Sequence, residues 1–316
     1  MRNSVGPAAL ALGVLLLSGC AAGHGGSLTA RFVRPGEPAM NFGGPPVATT
    51  DSLQDHNKGA RQPSAKPQPR QSTFGATIEG SDRRLTAALL VEAVLPTAAS
   101  HLRVAEEYRR LGVLDAAYAR LNRAVQKEPR LAEAHEGLAR IWRDWGLPDR
   151  GLGAAYRAAY YDPRSASAQN TLGTILDALG RFGEARQAYE RALSLAPTAA
   201  WPLNNLCYVE FRLGRLDEAR SRCEAALRLA PNLGAAHNNL ALIHAAEGDL
   251  GRARLEFLAA GDPAAAEYNL GIVHLAAREY TSAADAFEEA IKARPAFTAA
   301  KARAHAARLR LLTGSD

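Results

Sequence analysis

A period of 34 residues is the feature that most constrains how this chain can fold. Proline recurs at positions 129, 163, 197 and 231, and then at 263 and 295 after two intervals of 32 residues. Glycine recurs 17 residues before each of the first four of these prolines, at positions 112, 146, 180 and 214. A repeat of this length indicates stacked supersecondary units, each of which needs its neighbours to cover its apolar face. Because the apolar spacing between these markers is helical, each unit is predicted to be two antiparallel helices with a turn at the glycine.

Small residues occupy fixed places within every unit. The eighth position holds, in order, Ala105, Ala139, Gly173, Cys207, Ala241 and Gly271, and positions 20 and 27 are always Ala or Gly. Small side chains at fixed positions let two helix backbones approach closely. Aromatic residues make up only 6% of the chain, while Ala, Leu and Arg are abundant, and this balance favours helix over sheet.

The pattern resembles the tetratricopeptide repeat. The order and spacing typical of that family recur in Leu172-Gly173, Gly180, Ala185, Tyr189, Ala192 and Pro197, and again in Leu270-Gly271, Ala283, Phe287, Ala290 and Pro295. The resemblance implies an all-α fold, a right-handed α-solenoid of about six helix hairpins. The units are predicted at 98–131, 132–165, 166–199, 200–233, 234–263 and 264–297.

A further helix is predicted at each end of the array. Residues 82–97 form a leading helix that stops at Pro96, with Leu85, Leu89, Leu90, Ala93 and Val94 as its apolar stripe. Residues 298–316 form a capping helix, with Ala300, Ala304, Ala307, Leu309 and Leu311 covering the open end of the stack.

The first 20 residues resemble the signal peptide of a bacterial lipoprotein. Arg2 precedes an apolar run, Val5 to Leu17, that is too short to span a bilayer. The run ends in Leu17-Ser18-Gly19-Cys20, which resembles a lipobox and implies that Cys20 is lipidated; an ordinary signal with a chance cysteine is the alternative. Since residue 21 is Ala rather than Asp, the resemblance implies an outer-membrane lipoprotein facing the periplasm in a Gram-negative host. In a Gram-positive host the protein would stay on the outer leaflet of the single membrane.

Residues 21–81 are predicted to be a disordered tether. They hold seven prolines and few apolar residues, so they cannot bury enough surface to offset their ordering entropy. Basic residues slightly outnumber acidic ones in this segment, which leaves open a contact with anionic envelope polymers or lipid headgroups beside the plain spacer role.

The resemblance also implies a binding surface, because the first helices of tetratricopeptide units line a concave groove and point positions 2, 5, 9 and 12 into it. In units one and two these positions are largely charged, and in unit three they are Ser167, Asn170, Thr174 and Asp177. In units four to six they become apolar or amidic, and aromatic rings next to Asn suit an extended or helical peptide segment of a partner protein. The predicted groove residues are Asn170, Trp201, Asn204, Tyr208, Phe211, Asn238, Leu242, Tyr268, Ile272 and Leu275. The alternative is that some of these rings pack between units or under the capping helix.

Cys207 and Cys223 lie on the two predicted helices of the fourth unit, roughly opposite one another. They form either a disulfide, which an oxidising compartment would favour, or a pair of small buried residues. We expect no metal site and no cofactor, because further Cys or His residues are not suitably placed.

Phosphate-loop, HExxH and Gly-x-Ser-x-Gly motifs are absent, so the sequence argues against an enzyme. The net charge of +6 at pH 7 is spread rather than concentrated in a stripe, which argues against nucleic-acid binding.

These features together predict a membrane-anchored scaffold that holds one protein of a larger envelope assembly. The architecture is similar to that of the assembly lipoproteins of Tad/Flp pili, to pilotins of type IV pili and to other outer-membrane assembly factors. Two alternatives remain open: an adaptor that recruits a cell-wall hydrolase or protease, and a structural lipoprotein that self-associates through its repeats.

Overall fold

The computed structural model describes residues 82–313, and this part of the chain contains fourteen helices and no strand. In chain order the helices are α1 (Arg83–Val94), α2 (Ala98–Arg110), α3 (Leu114–Lys127), α4 (Ala132–Asp144), α5 (Pro148–Tyr161), α6 (Ala166–Ala178), α7 (Phe182–Leu195), α8 (Ala200–Arg212), α9 (Leu216–Leu229), α10 (Gly234–Ala246), α11 (Leu250–Ala259), α12 (Pro263–Ala276), α13 (Tyr280–Ala293) and α14 (Thr298–Thr313).

Helices α2 to α13 pair into six antiparallel hairpins, which stack in chain order. Each hairpin holds one predicted unit, with α1 before the first and α14 after the last. The all-α solenoid predicted from the sequence is confirmed. Among residues 82–313, no helix combines the length and the apolarity that crossing a bilayer requires.

A left-handed backbone residue ends the first helix of every hairpin. Glycine fills this place in the first five turns, with φ of 74° at Gly180 and 77° at Gly214, for example. The next residue then donates its N–H to a carbonyl five positions back, as Arg181 does to Leu176 at 2.9 Å, and this bond closes the helix end. Glycine is favoured there because it carries no Cβ to clash in this conformation. The sixth turn uses Arg278 instead, with φ of 61°.

The two helices of a hairpin come closest where position 8 of the first faces position 24 of the second. A Cβ added to Gly173 would lie 2.5 Å from the Tyr189 ring, and one added to Gly271 would lie 2.6 Å from the Phe287 ring. Large rings at position 24 therefore require glycine at position 8 in these two units. The recurring small residues in the sequence thus mark the crossing point of each hairpin.

The first helix of the sixth hairpin begins one residue before the predicted start of its unit. We expected the sixth unit to begin at residue 264, but α12 begins at Pro263. Asp262 caps this helix by accepting hydrogen bonds from the N–H groups of Ala264 at 3.1 Å and Ala265 at 3.3 Å. Proline fits the first position of a helix because its missing N–H would have no intrahelical partner there.

The capping helix α14 closes the C-terminal end with small residues. Ala300, Ala304 and Ala307 are buried in a cluster that also holds Phe287 and Phe297. The two leucines that we predicted to join them, Leu309 and Leu311, are 47% and 46% exposed. Leu309 lies two positions after Ala307 and therefore points away from the face turned towards α13, whereas Leu311 shares the spacing of that face and lies in the last turn of the helix.

The leading helix α1 buries only part of the predicted stripe, because Leu85 is buried and Leu89 partly buried while the other three residues are exposed. Its buried residues are Leu85, Ala88 and Glu92, whereas Leu90 and Val94 are exposed. The burial of Glu92 explains this orientation. Its carboxylate contacts the Nδ1 atom of His101 at 2.5 Å and the guanidinium of Arg120 at 3.2 Å.

Candidate partner-binding groove

The first helices of the hairpins form the inner face of the stack. Successive first helices touch directly, from α2 to α4, α6, α8 and α10 in turn. Second helices pack instead between the first helix of their own hairpin and the first helix of the next. Because the first helices lie closer together than the second helices, the stack curves with the first helices on its concave side.

Polar side chains join successive first helices along this inner face in a regular pattern, which we call the polar ladder. At each step, the residue at position 6 of a unit donates a hydrogen bond to the residue at position 5 of the preceding unit. The four steps are Thr171 to Glu136 at 2.9 Å, Asn205 to Asn170 at 2.7 Å, Asn239 to Asn204 at 3.0 Å and Asn269 to Asn238 at 3.5 Å.

The first step of the polar ladder is charged. The Glu136 carboxylate accepts hydrogen bonds from the hydroxyls of Ser167 at 2.7 Å and Thr171 at 2.9 Å, and it also pairs with Arg140. Arg140 in turn donates to Ser167 at 2.8 Å and Thr171 at 3.1 Å. Burial lowers the pKa of Arg140, although the neighbouring Glu136 carboxylate acts in the opposite direction. This network fixes the relative positions of α4 and α6.

Half of the predicted groove residues reach the surface of the inner face. Trp201 is 37% exposed, and Asn170, Asn204, Phe211 and Leu275 are partly exposed. The other half are buried, namely Tyr208, Asn238, Leu242, Tyr268 and Ile272. The partly exposed residues therefore concentrate on α6 and α8, around Trp201.

The alternative interpretation, packing under the capping helix, holds for Tyr268. Its ring lies 5.4 Å from Phe287 and 5.0 Å from Phe297, inside the cluster that α14 covers. Tyr208 also has partners in its own chain, because its hydroxyl accepts a hydrogen bond from Arg212 at 2.8 Å. That guanidinium lies 4.3 Å above the Phe182 ring of the preceding unit. Tyr208 and Arg212 thus help to join the fourth unit to the third, whereas Tyr268 packs within the sixth unit and its cap.

The predicted groove residues do not include the donors of the polar ladder. Asn205, Asn239 and Asn269 were missed, as was the role of Glu136 in joining two units. The signal was present in the paired asparagines at 204–205 and 238–239, which recur at the same place in two successive units.

Two family models, both described as tetratricopeptide repeat, match this chain: one over residues 166–199 and the other over residues 208–268 and 268–314. Over these segments the chain is similar to the tetratricopeptide-repeat family. Proteins of this family are typically non-enzymatic scaffolds that bind protein or peptide partners. No curated protein matches the sequence of this chain.

Solved tetratricopeptide structures share the fold. A chain in the APC/C hetero-tetramer Cut9-Hcn1 superposes with a TM-score of 0.59 at 19% identity, over 73% of this chain and 48% of that one. This chain thus spans about half the length of that relative. A tetratricopeptide repeat protein from Parabacteroides merdae gives 0.58 at 16% identity, over 74% and 96%. Pseudomonas aeruginosa pilF gives 0.51 at 21% identity, over 65% and 95%. At these identities the similarity concerns the fold.

One carboxyl oxygen of the third tetratricopeptide unit has no hydrogen-bond partner among the described residues. Asp177 lies on the inner-face helix α6, one turn after Thr174, and its Oδ1 atom is buried with no hydrogen bond to any described residue. Burial raises the pKa of this carboxyl to about 6, against a smaller opposing effect of Arg212. Asp177 is therefore an electrostatically unfavourable residue in the wall of the groove.

The fourth tetratricopeptide unit contains a disulfide. Cys207 on α8 and Cys223 on α9 are bonded at an S–S distance of 2.03 Å and are fully buried. They occupy positions 8 and 24, the same pair that places Gly173 against Tyr189 in the third unit. The closest approach of the two helices is thus a covalent bond in this unit.

Two further predictions concern the N-terminal segments of the chain and the absence of a metal site. Cys20, the signal peptide and the tether at 21–81 lie outside the described residues. Within residues 82–313, His, Cys, Asp and Glu side chains form no group of three or more that could hold a metal ion.

Proposed function

We propose that this chain is a lipid-anchored scaffold without catalytic activity, which binds an extended segment of a partner protein on the inner face of its third to fifth repeats. The observation that carries the proposal is the exposed Trp201 ring beside the partly exposed amides of Asn170 and Asn204. The partner would belong to an envelope assembly such as a pilus or a secretion system.

The chemistry of these residues favours a peptide segment. An indole ring offers a large apolar area with few rotatable bonds, which is why tryptophan dominates many interfaces. The Asn170 amide accepts a hydrogen bond from Asn205 through its oxygen, and its Nδ2 group donates to no other described residue. That N–H group is therefore available to a backbone carbonyl of a bound segment. Since the polar ladder already holds Asn170 and Asn204 in place, little side-chain entropy would be lost on binding.

Export to the envelope is supported by two independent features. The N-terminal run and Cys20 resemble a lipoprotein signal, and lipidation there would anchor the protein to a membrane. The disulfide between Cys207 and Cys223 fits an oxidising compartment such as the periplasm, because thiols stay reduced in the cytosol. A role in assembling a pilus or secretion machine rests on the combination of anchor, tether and repeats, and the fold shared with pilF is compatible with it.

Affinity capture from envelope extract tests the groove. The wild-type chain, Trp201→Ala and the control Tyr160→Ala would each be used as bait, with captured proteins identified by mass spectrometry. Tyr160 is a suitable control because it is a 79% exposed aromatic on the second helix α5, away from the inner face. We expect a protein that the wild type and the control retain and that Trp201→Ala loses. Capture of the same proteins by all three baits would contradict the groove proposal. The proposed role in an envelope assembly is tested separately, by asking whether deletion of the gene impairs pilus assembly or secretion.

A further inference from the structure

The leading helix α1 carries apolar residues on two opposite faces, one of which also holds the ion-paired Glu92. One face, formed by Leu85, Ala88 and Glu92, is buried by packing against the first repeat. At 100° per residue, Ala87, Leu90 and Val94 point in the opposite direction. Helices that are apolar on both sides are usually covered on both sides.

The outer face of α1 exposes large aliphatic side chains side by side. Leu90 is 65% exposed, Val91 46%, Val94 85% and Leu95 60%. Four such residues within six positions form a contiguous patch, unlike single exposed leucines, which are common on soluble proteins. The patch lies at the end of the stack nearest to the segment that would carry the membrane anchor.

The charges of α1 are all positive where they are exposed. Arg83 and Arg84 are exposed, and neither guanidinium makes an ion pair with another described residue. The only acidic residue in the helix is Glu92, which is buried against His101 and Arg120. Two arginines in the first turn are unfavourable for the helix dipole, so helix stability does not explain them.

An apolar stripe flanked by arginines, with no exposed acid, is the composition of helices that lie in the surface of an anionic membrane. We propose that α1 docks on an anionic phospholipid surface, with Leu90, Val91 and Val94 inserted among the acyl chains and Arg83 and Arg84 on the headgroups. The inference deepens the proposed membrane attachment, but it does not depend on the lipid at Cys20 or on partner binding. Docking would place the first repeat against the membrane and so orient the groove.

A fluorophore placed on the apolar face tests the inference in the full-length chain. Cys20→Ser removes the one cysteine outside the disulfide, and Val94→Cys then provides a single site for nitrobenzoxadiazole, whose emission rises and shifts to the blue in an apolar environment. The matched control carries Leu255→Cys instead, because Leu255 is a 67% exposed leucine on α11 with Arg254 and Glu256 as neighbours. Both proteins are titrated with vesicles of mixed phosphatidylglycerol and phosphatidylcholine, and with vesicles of phosphatidylcholine alone.

We expect the probe at residue 94 to shift with the anionic vesicles, while the probe at 255 stays in water. The double variant Arg83→Glu, Arg84→Glu should lower the affinity for anionic vesicles, read from the probe at residue 94, by about tenfold or more. The reason is that each arginine near an anionic surface contributes about 1 kcal/mol to binding. Capture of the partner protein by this double variant should be unchanged, which separates a failure of this inference from a failure of the groove.

Three results would overturn the inference. A probe at residue 94 that stays in water with every vesicle would mean that lipid does not cover α1. Equal shifts at 94 and 255, or with neutral vesicles, would mean unspecific adhesion. A shift at 94 that grows with protein concentration in the absence of vesicles would identify a second copy of the chain as the occupant.

Discussion

Single residues in this solenoid are best judged against the same position in the other repeats. Five of the six hairpin turns place glycine in the left-handed region, but the sixth places Arg278 there with φ of 61°. A side chain in this conformation costs about 1 kcal/mol or more, because its Cβ approaches the following carbonyl oxygen.

Replacing Arg278 with glycine should therefore stabilise the protein, by about 0.5 to 1 kcal/mol after the greater chain entropy of unfolded glycine is subtracted. Urea unfolding followed by circular dichroism would measure the gain. Arg278→Ala is the matched control, since it removes the charge and keeps the Cβ; an equal gain from alanine would show that backbone strain is not the cause.

A second prediction at this scale concerns Asp177. Burial raises its pKa from the ordinary 3.8 to about 6. At a pH between these two values, the carboxyl is therefore still protonated in the folded state but already ionised in the unfolded state. Stability is thus lost as the pH rises through this window, by up to about 3 kcal/mol at 1.4 kcal/mol per pKa unit.

Asp177→Asn should remove this loss, because the amide stays neutral. The variant should match the wild type near pH 4 and exceed its free energy of unfolding by about 1 to 3 kcal/mol at pH 7. Urea titrations across this range would measure the difference. Asp285→Asn, at an exposed position on α13, should show no such divergence. Parallel stability curves for Asp177→Asn and wild type would refute the assigned pKa shift.

At the scale of the helix pair, the fourth hairpin is the one closed by a disulfide. The bond joins residues 16 apart, and a loop of this length contributes about 3 kcal/mol by restricting the unfolded chain. The second unit has Ala139 and Ala155 at the same two positions, which shows that this hairpin fold accepts alanine there.

Cys207→Ala with Cys223→Ala should consequently fold and lose about 3 kcal/mol of stability. Because each repeat contacts only its neighbours, hydrogen exchange should accelerate first in α8 and α9. Exchange that is unchanged in these two helices, with the wild-type urea midpoint retained, would show that the bond does not stabilise the native hairpin.

At the scale of the whole molecule, some features follow from the pattern within one hairpin and others depend on contacts with neighbouring units. The 34-residue period, the turn glycines and the small eighth positions all act within one hairpin, and they predicted six helix pairs and their crossing points. The exposure of a groove residue depends instead on the side chains of the next first helix and of the cap. The position of Tyr268 predicted a groove residue, but its ring packs against Phe297, the last residue of the same unit, in the cluster that α14 covers.

The same reasoning explains the leading helix. Apolar residues occur around much of the circumference of α1, so their periodicity does not identify the buried face. The buried face is the one that carries Glu92, whose partners His101 and Arg120 lie on two other helices. Contacts between distant positions of this kind leave no local signal, whereas the polar ladder did leave one, in the repeated asparagine pairs.

The measurement that tests the central claim most directly is the affinity of the captured partner for the groove, determined by isothermal titration calorimetry. Trp201→Ala should raise the dissociation constant by about tenfold or more, as truncation of a central interface tryptophan usually does. Tyr160→Ala should leave the dissociation constant within about twofold of the wild-type value. Equal affinities for wild type and Trp201→Ala would contradict the account and place the binding surface elsewhere on the solenoid.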